Sequence, residues 1–328
     1  MFLPQFPSPV RSCAELAERG ELWIKDDGVL HPLYGGNKLR KLPRILARAA
    51  ARGAQRVLTF GPAGSHHVLT TALCAREHAL GVAAVLAPQP WTPHAEQMLR
   101  AIVALGVEIH PASSVAAVPL AFARALRAGD HVVPPGGSNP LGALGYLDAV
   151  GELCEQIGER RLPVPDVIVV ALGSGGTAAG LLAGLTRYGL GARLVAVQTV
   201  GGRLAQPHAV YLARRALLAS GAGKPLRLEH FSVERGQLGP GYGVPTPASE
   251  RAARRGARLG LATDPTYTAK ALAHAIELVG AARPGRAERV LYWHTLSTAP
   301  LTPLIAAAPS LAELPAAVRR LLVPLASH

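Results

Sequence analysis

Short apolar runs alternate with helical stretches along most of the chain, and this alternation constrains the fold more than any other feature. Val57-Leu58-Thr59-Phe60 reads as a strand followed by a helix from about Val68 to Leu80. Val82 to Leu86 is a second strand, with a helix over Pro93 to Leu105. Val107-Glu108-Ile109, a helix near Ala116 to Ala128 and a short strand at His131-Val132-Val133 come next. A helix from about Gly142 to Ile157 ends at the break Pro163-Val164-Pro165. The pattern then restarts with a strand over Val167 to Leu172, a helix to Tyr188, a strand over Leu194 to Val197 and a helix over Pro207 to Ala219. Helices near Pro247 to Leu259 and Thr268 to Val279 precede a last strand, Val290-Leu291-Tyr292-Trp293. Such alternation implies an α/β protein with mainly parallel sheets covered by helices on both faces. At 328 residues the chain exceeds the size of one comfortable core, so two domains are expected.

One stretch imitates a membrane span, since Val167 to Leu185 carries no charge over nineteen residues. Its interior reads Gly173-Ser174-Gly175-Gly176-Thr177, a poor helix centre but a good strand-to-helix turn. Glycine-rich backbone at a helix N-terminus presents free N–H groups and the positive dipole end to an anion, and Thr177 adds a hydroxyl. The plainer reading is a tight turn for close helix packing. The turn also matches G-x-G-x-x-A through Gly173, Gly175 and Ala178, which would suit an NAD(P)-linked oxidoreductase. That reading needs an acid at the end of the next strand, yet the strand ends at Gln198-Thr199 and no Asp or Glu lies between Asp166 and Glu229. A phosphate monoester fits better.

The second candidate is Lys38, in Tyr34-Gly35-Gly36-Asn37-Lys38-Leu39-Arg40-Lys41. Of 34 basic residues only Lys25, Lys38, Lys41, Lys224 and Lys270 are lysines. A desolvated lysine amine loses its proton and attacks carbonyls, which arginine cannot do. Lys38 therefore reads as a Schiff-base lysine for pyridoxal 5'-phosphate, or else as part of a basic patch before a helix.

The formal charge of +13 raises the question of nucleic acid, but the arginines are scattered and no aromatic-rich basic tract accompanies them. No nucleic-acid or membrane partner is expected. Cys13, Cys74 and Cys154 are odd in number and far apart, which suits a reducing cytoplasm. The first residues have neither a basic nor an apolar leader segment. His66 and His67 are adjacent and lack the partners of a metal site, so no metal is expected.

Lysine motif and glycine turn together resemble the fold-type II pyridoxal-phosphate enzymes (tryptophan synthase beta-like), within them the 1-aminocyclopropane-1-carboxylate deaminase/D-cysteine desulfhydrase group. Gly35 to Leu42 resembles the Schiff-base segment, and Gly136 to Tyr146 a stretch typical of desulfhydrases. Gly241-Tyr242-Gly243 and Asp264 to Ala271 resemble the segments carrying two active-site tyrosines, and His294-Thr295 the closing pair. The resemblance implies two three-layer α/β domains. Lys38 and the glycine turn must meet, which implies that a smaller domain of residues 45–146 is inserted into a larger one of 1–44 plus 147–328.

It further implies that Lys38, Ser65, Tyr242 and Tyr267 are catalytic, and that Ser65, His66, His67 and both tyrosines face the substrate. Lys38, His66, Gly173, Ser174, Gly175, Gly176, Thr177 and Thr295 would hold pyridoxal 5'-phosphate. The implied reaction is α,β-elimination on a small amino acid, D-cysteine desulfhydrase-like, giving a 2-oxo acid and ammonia, by a cytoplasmic homodimer. Alternatives are 1-aminocyclopropane-1-carboxylate deaminase, cysteate sulfo-lyase and a non-catalytic relative that binds the cofactor. Thr268 stands where deaminases of the group carry a glutamate, which favours elimination. Two further departures are His66 in place of asparagine and Leu296-Ser297 in place of two glycines. An imidazole at that position titrates near neutrality unless its surroundings shift it, which would make the cofactor's absorbance depend on pH.

Overall fold

The computed structural model describes residues 2–17, 19–241, 243–281 and 288–324. Two strands not anticipated from the sequence open the chain, β1 (Val10–Ser12) and β2 (Glu21–Asp26). The first half continues with α1 (Lys38–Ala51), β3 (Arg56–Pro62), α2 (His66–Ala75), β4 (Gly81–Ala87), β5 (Gln89–Pro90) and α3 (Pro93–Ala104). Next come β6 (Glu108–Pro111), α4 (Val118–Ala125), β7 (His131–Val132) and α5 (Pro140–Gly158). The second half runs β8 (Val167–Leu172), α6 (Gly176–Tyr188), β9 (Arg193–Gln198), α7 (Ala205–Ala219), β10 (Phe231–Glu234), α8 (Pro247–Ala257), α9 (Thr268–Gly280) and β11 (Arg289–His294). Two short helices, α10 (Thr302–Ile305) and α11 (Ala316–Arg319), lead to β12 (Leu322–Val323).

These strands form a six-stranded sheet in the order β1-β2-β11-β8-β9-β10 and a four-stranded sheet in the order β6-β4-β3-β7. Every pairing is parallel except β1 with β2. The unbroken apolar run of β8 follows from burial on both faces. Ile168, Val170 and Leu172 pack with α5, α6 and α7, while Val167 and Val169 pack with α8 and α9. The smaller sheet is layered alike: Val57, Ala84 and Leu86 meet α1, α2 and α3, and Leu58, Ala83 and Val85 meet α4. The expected fold class, α/β with mainly parallel sheets covered by helices, holds.

The four-stranded sheet lies within residues 45–146 and the six-stranded sheet outside them. The C-terminal segment crosses back: β12 pairs with β5, and Leu301, Leu314, Val318 and Leu321 join the apolar cluster of α2 and α3. We propose that residues 45–146 form the smaller unit, with this segment packed onto it. No helix among the described residues is long and apolar enough to cross a membrane.

The strand β2 escapes a hydropathy reading because Lys25 and Asp26 interrupt it, yet Lys25 is wholly buried. Its amine donates to Glu152 Oε1 (2.5 Å), Gln156 Oε1 (2.7 Å) and the Ser8 carbonyl (3.2 Å). Asp27, just after β2, is also fully buried. Its carboxylate accepts from Arg40 Nε (2.9 Å) and Nη2 (2.8 Å), the Tyr146 hydroxyl (2.5 Å) and Trp293 Nε1 (2.9 Å). Thus α1, α5 and β11 share one anion. Burial alone would raise its pKa, but the Arg40 charge and these hydrogen bonds outweigh burial and hold it below the usual range.

Asp27→Asn leaves the Arg40 guanidinium buried with less counter-charge, so a loss of roughly 3–5 kcal/mol in urea unfolding is expected. Arg44→Ala breaks only an exposed pair with Asp148 and should cost under about 1 kcal/mol. Because the folded pKa of Asp27 lies below its unfolded value, its contribution is complete above about pH 4 and is lost as pH falls through the folded value. Equal losses in the two variants would refute this role for Asp27.

Candidate active site

Lys38 is the first residue of α1, and its Nζ donates to Asn37 Oδ1 at 2.9 Å. The preceding glycines are sterically required. A Cβ on Gly35 would collide with the Gly28 carbonyl, and Gly36 has φ 92° with the Thr295 carbonyl 3.0 Å from where its Cβ would be. Asn37 N donates to that carbonyl at 3.0 Å, and Gly35 N donates to Ser297 Oγ at 2.9 Å. Ser297, standing where glycine was expected, therefore uses its side chain to hold the lysine turn. Neither Leu296 nor Ser297 needs a left-handed backbone.

The glycine turn joins β8 to α6, with Gly175 at φ 91° just before the helix. Ser138 braces it: its Oγ accepts from Gly176 N (3.1 Å) and lies 2.7 Å from Ser174 Oγ. Thr177 Oγ1 accepts from Asn37 Nδ2 at 3.2 Å and from Lys41 Nζ at 3.4 Å. The two motifs therefore meet through side chains 140 residues apart. Lys41 is buried and, among the described residues, no carboxylate pairs with it. Burial, reinforced by the Lys38 charge, pulls its pKa well below the ordinary lysine value. Burial likewise lowers Lys38 to about 8, against the opposing pull of Asp264.

Asp264 builds the turn into α9. Its carboxylate accepts from Thr266 N (2.9 Å), Tyr267 N (2.7 Å) and Thr268 Oγ1 (2.6 Å). Tyr267 thereby lies against the glycine turn, with Cε1 2.8 Å from where a Cβ on Gly173 would stand. Thr295 is buried beside His294, whose Nδ1 is 3.1 Å from the Tyr292 hydroxyl and whose Nε2 has no hydrogen-bond partner. Tyr242 lies outside the described residues.

Ser65 caps α2, accepting from Val68 N at 3.3 Å, and leaves the first amides of the helix open toward an anion. His67 points elsewhere: its Nε2 is 2.9 Å from Thr59 Oγ1 in β3, and Nδ1 is buried without a partner. Burial, then the charges of Lys38 and Lys41, lower its pKa to about 3. His66 is hydrogen-bonded at Nδ1 to the Tyr34 hydroxyl and lies with Nε2 3.2 Å from Nε2 of His94. Burial, then Lys38 and His94, lower it to about 3 as well. The shift left open by the sequence is therefore downward, because burial outweighs the Asp264 charge. Among the described residues no group of three or more His, Cys, Asp or Glu side chains is arranged to hold a metal.

Asn37, Lys41, Ser138, Asp264, Tyr34 and His94 were not singled out as site residues from the sequence. Asn37, Lys41, Ser138 and Asp264 lie inside the quoted motifs, but their roles depend on partners far along the chain. His94 lies in no motif.

A family model described as pyridoxal-phosphate dependent enzyme matches residues 1–295. Nocardicin C-9' epimerase of Nocardia uniformis subsp. tsuyamanensis is 35% identical over 306 residues, covering 89% of this chain and 90% of that protein. D-cysteine desulfhydrase of Klebsiella pneumoniae is 32% identical over 302 residues, covering 88% and 91%. A crystal structure of a 1-aminocyclopropane-1-carboxylate (ACC) deaminase homologue superimposes with a TM-score of 0.75 at 28% identity, covering 92% of this chain and 97% of that one.

A lysine with pKa about 8 becomes an effective nucleophile two to three pH units earlier than an ordinary one near 10.4. In the cofactor-free protein, the rate of trinitrophenylation at Lys38, followed by peptide mapping, should rise through about pH 8. A midpoint above pH 10 would contradict the burial described here.

Proposed function

Because the chain belongs to the family of pyridoxal-phosphate-dependent enzymes, we propose that it is a lyase performing α,β-elimination on a small amino acid, D-cysteine desulfhydrase-like, and releasing a 2-oxo acid and ammonia. The observation that carries this reading is the meeting of Lys38 and the glycine turn through Asn37, Thr177 and Lys41. The residues present fit the cofactor. A buried lysine amine with no carboxylate partner among the described residues, beside N–H groups at the start of α6, suits a phosphate dianion, whose charge would favour its protonated form. A low-pKa amine one turn away suits the aldehyde.

In this reading Gly173, Ser174, Gly175, Gly176, Thr177 and Lys41 would hold the phosphate, Lys38 would hold the aldehyde carbon, and Thr295 would partner the ring nitrogen. Bound pyridoxal 5'-phosphate supplies the electron sink that acidifies the substrate's α-carbon. Lys38 is the residue that would take the α-proton, for which a pKa near the working pH is suited. Ser65 and the open amides of α2 grip the substrate carboxylate. Tyr267 packs against the turn at Gly173, and Tyr242 is assigned to the substrate side by resemblance alone. The Thr268 hydroxyl is committed to Asp264, so it brings no carboxylate of its own to the ring.

Deamination of 1-aminocyclopropane-1-carboxylate and removal of sulfite from cysteate remain alternatives within the same site. The similarity to an epimerase supports a second reading, in which the α-proton is returned to the opposite face and no group leaves. A cytoplasmic homodimer is also proposed. The three cysteines are free, which supports a reducing compartment.

Borohydride reduction of the holoenzyme should place a pyridoxyl label on Lys38 and nowhere else, and Lys38→Ala should lose both label and turnover. Lys41→Ala should keep the label at saturating cofactor but weaken cofactor binding by about tenfold to a hundredfold, the loss of a charge-assisted contact of about 1.5–3 kcal/mol. Pyruvate and ammonia from D-cysteine or β-chloro-D-alanine support elimination. Loss of optical activity without pyruvate would replace it by epimerisation, and a label on another lysine would end the assignment of Lys38.

A further inference from the structure

Three elements meet at the His66 ring. His66 opens α2, Tyr34 lies in the segment entering α1, and His94 stands in the first turn of α3. The Tyr34 hydroxyl binds Nδ1, and His94 Nε2 lies 3.2 Å from Nε2, with the two rings 5.1 Å apart and tilted by 31°. Both nitrogens of His66 are thereby used. Tyr34 is buried, whereas His94 is exposed.

Two proton arrangements satisfy this chain. In the outward one, Tyr34 donates to His66 Nδ1, and His66 carries its own proton on Nε2 and donates it to His94. In the inward one, His94 donates to His66, His66 donates to Tyr34, and the phenol proton is left to the Met98 sulfur, 3.9 Å away. Thioether sulfur is a weak acceptor and a neutral imidazole nitrogen a good one, so the outward arrangement is the more stable. The titratable groups facing His66 are Tyr34 from the segment entering α1, Lys38 from the start of α1, His94 from α3, and Asp264 from the loop before α9. Burial, together with the charges of Lys38 and His94, outweighs Asp264 and disfavours a charged ring.

We propose that His94 is a positioning residue for the active site: with Tyr34 it occupies both ring nitrogens of His66 and locks that ring in the Nε2–H tautomer. The loop that begins α2 then presents a fixed, uncharged side chain that a bound group does not recruit as a base. This rests on reading the Lys38 pocket as the cofactor site, and it extends that reading to a residue outside every sequence motif.

Nitrogen-15 spectra of the cofactor-free protein read the tautomer directly. In the wild type, His66 should stay uncharged between about pH 5 and 8 and be Nε2–H wherever His94 is neutral and can accept. His94 is exposed, so His94→Ala leaves the core intact while admitting water to the ring. His66 should then shift toward the ordinary imidazole value of about 6.5. The absorbance of the bound cofactor, flat over this range in the wild type, should acquire a pH-dependent step in His94→Ala. His94→Gln offers an amide oxygen to the same N–H and should restore the flat profile. Tyr34→Phe should abolish the preference for Nε2–H with His94 still in place. A wild-type His66 protonated on Nδ1, or titrating between about pH 5 and 8, overturns the proposal. So does a His94→Ala protein identical to wild type in both spectra. These outcomes are independent of the label on Lys38, which tests the cofactor reading by itself.

Discussion

The buried Asp27 carboxylate is the interaction on which the rest of the arrangement depends. Its side chain gathers Arg40 from α1, Tyr146 from α5 and Trp293 from β11, and its own backbone carbonyl accepts from Gly36 N at 2.7 Å. One residue thus grips the chain on both sides of Lys38, two positions before it and two after. Removing such an anion from water is costly, and the cost is met only because each of its oxygens is hydrogen-bonded and a guanidinium stands beside it. The directionality of those bonds is what orients α1. The start of that helix then faces the turn between β8 and α6, where Thr177 receives Asn37 and Lys41.

Within one turn of α1 the cations are treated in opposite ways. Arg40 is neutralised by Asp27 and Glu152, whereas Lys41, the next residue, is buried without a carboxylate. Lys38 is likewise desolvated, and its amine donates to the amide oxygen of Asn37. Such a region favours an anionic guest, because the guest supplies the counter-charge that the protein withholds. The N-termini of α6 and α2 add partial positive charge on two sides. Burial first, and then this field, disfavour protonation of His66 and His67 and pull both imidazoles well below the ordinary value.

The parts legible in the sequence are those whose cause is local. The β8 strand and its glycine turn were readable because an apolar run buried on both faces, followed by a helix N-terminus, carries its signature in adjacent residues. Lys38 was readable because its glycines and asparagine are adjacent to it. By contrast β2 was missed, since Lys25 looks like a surface residue until Glu152 reaches it from α5. The C-terminal segment was also missed, because β12 is two residues long and exists only by pairing with β5. The direction of any shift at His66 was not legible, because its two partners, Tyr34 and His94, lie 32 and 28 positions away.

By itself, the sequence determined the alternation of strands and helices, the glycine positions that permit close backbone approach, and the candidate lysine that stands beside them. These follow from hydropathy period, missing Cβ atoms and amine chemistry, which are properties of neighbouring residues. The tertiary structure alone decided which buried cation is paired and which is left for a ligand, and which imidazole nitrogen keeps its proton. Those outcomes depend on desolvation and on charges brought together by the fold, and both act through space rather than along the chain.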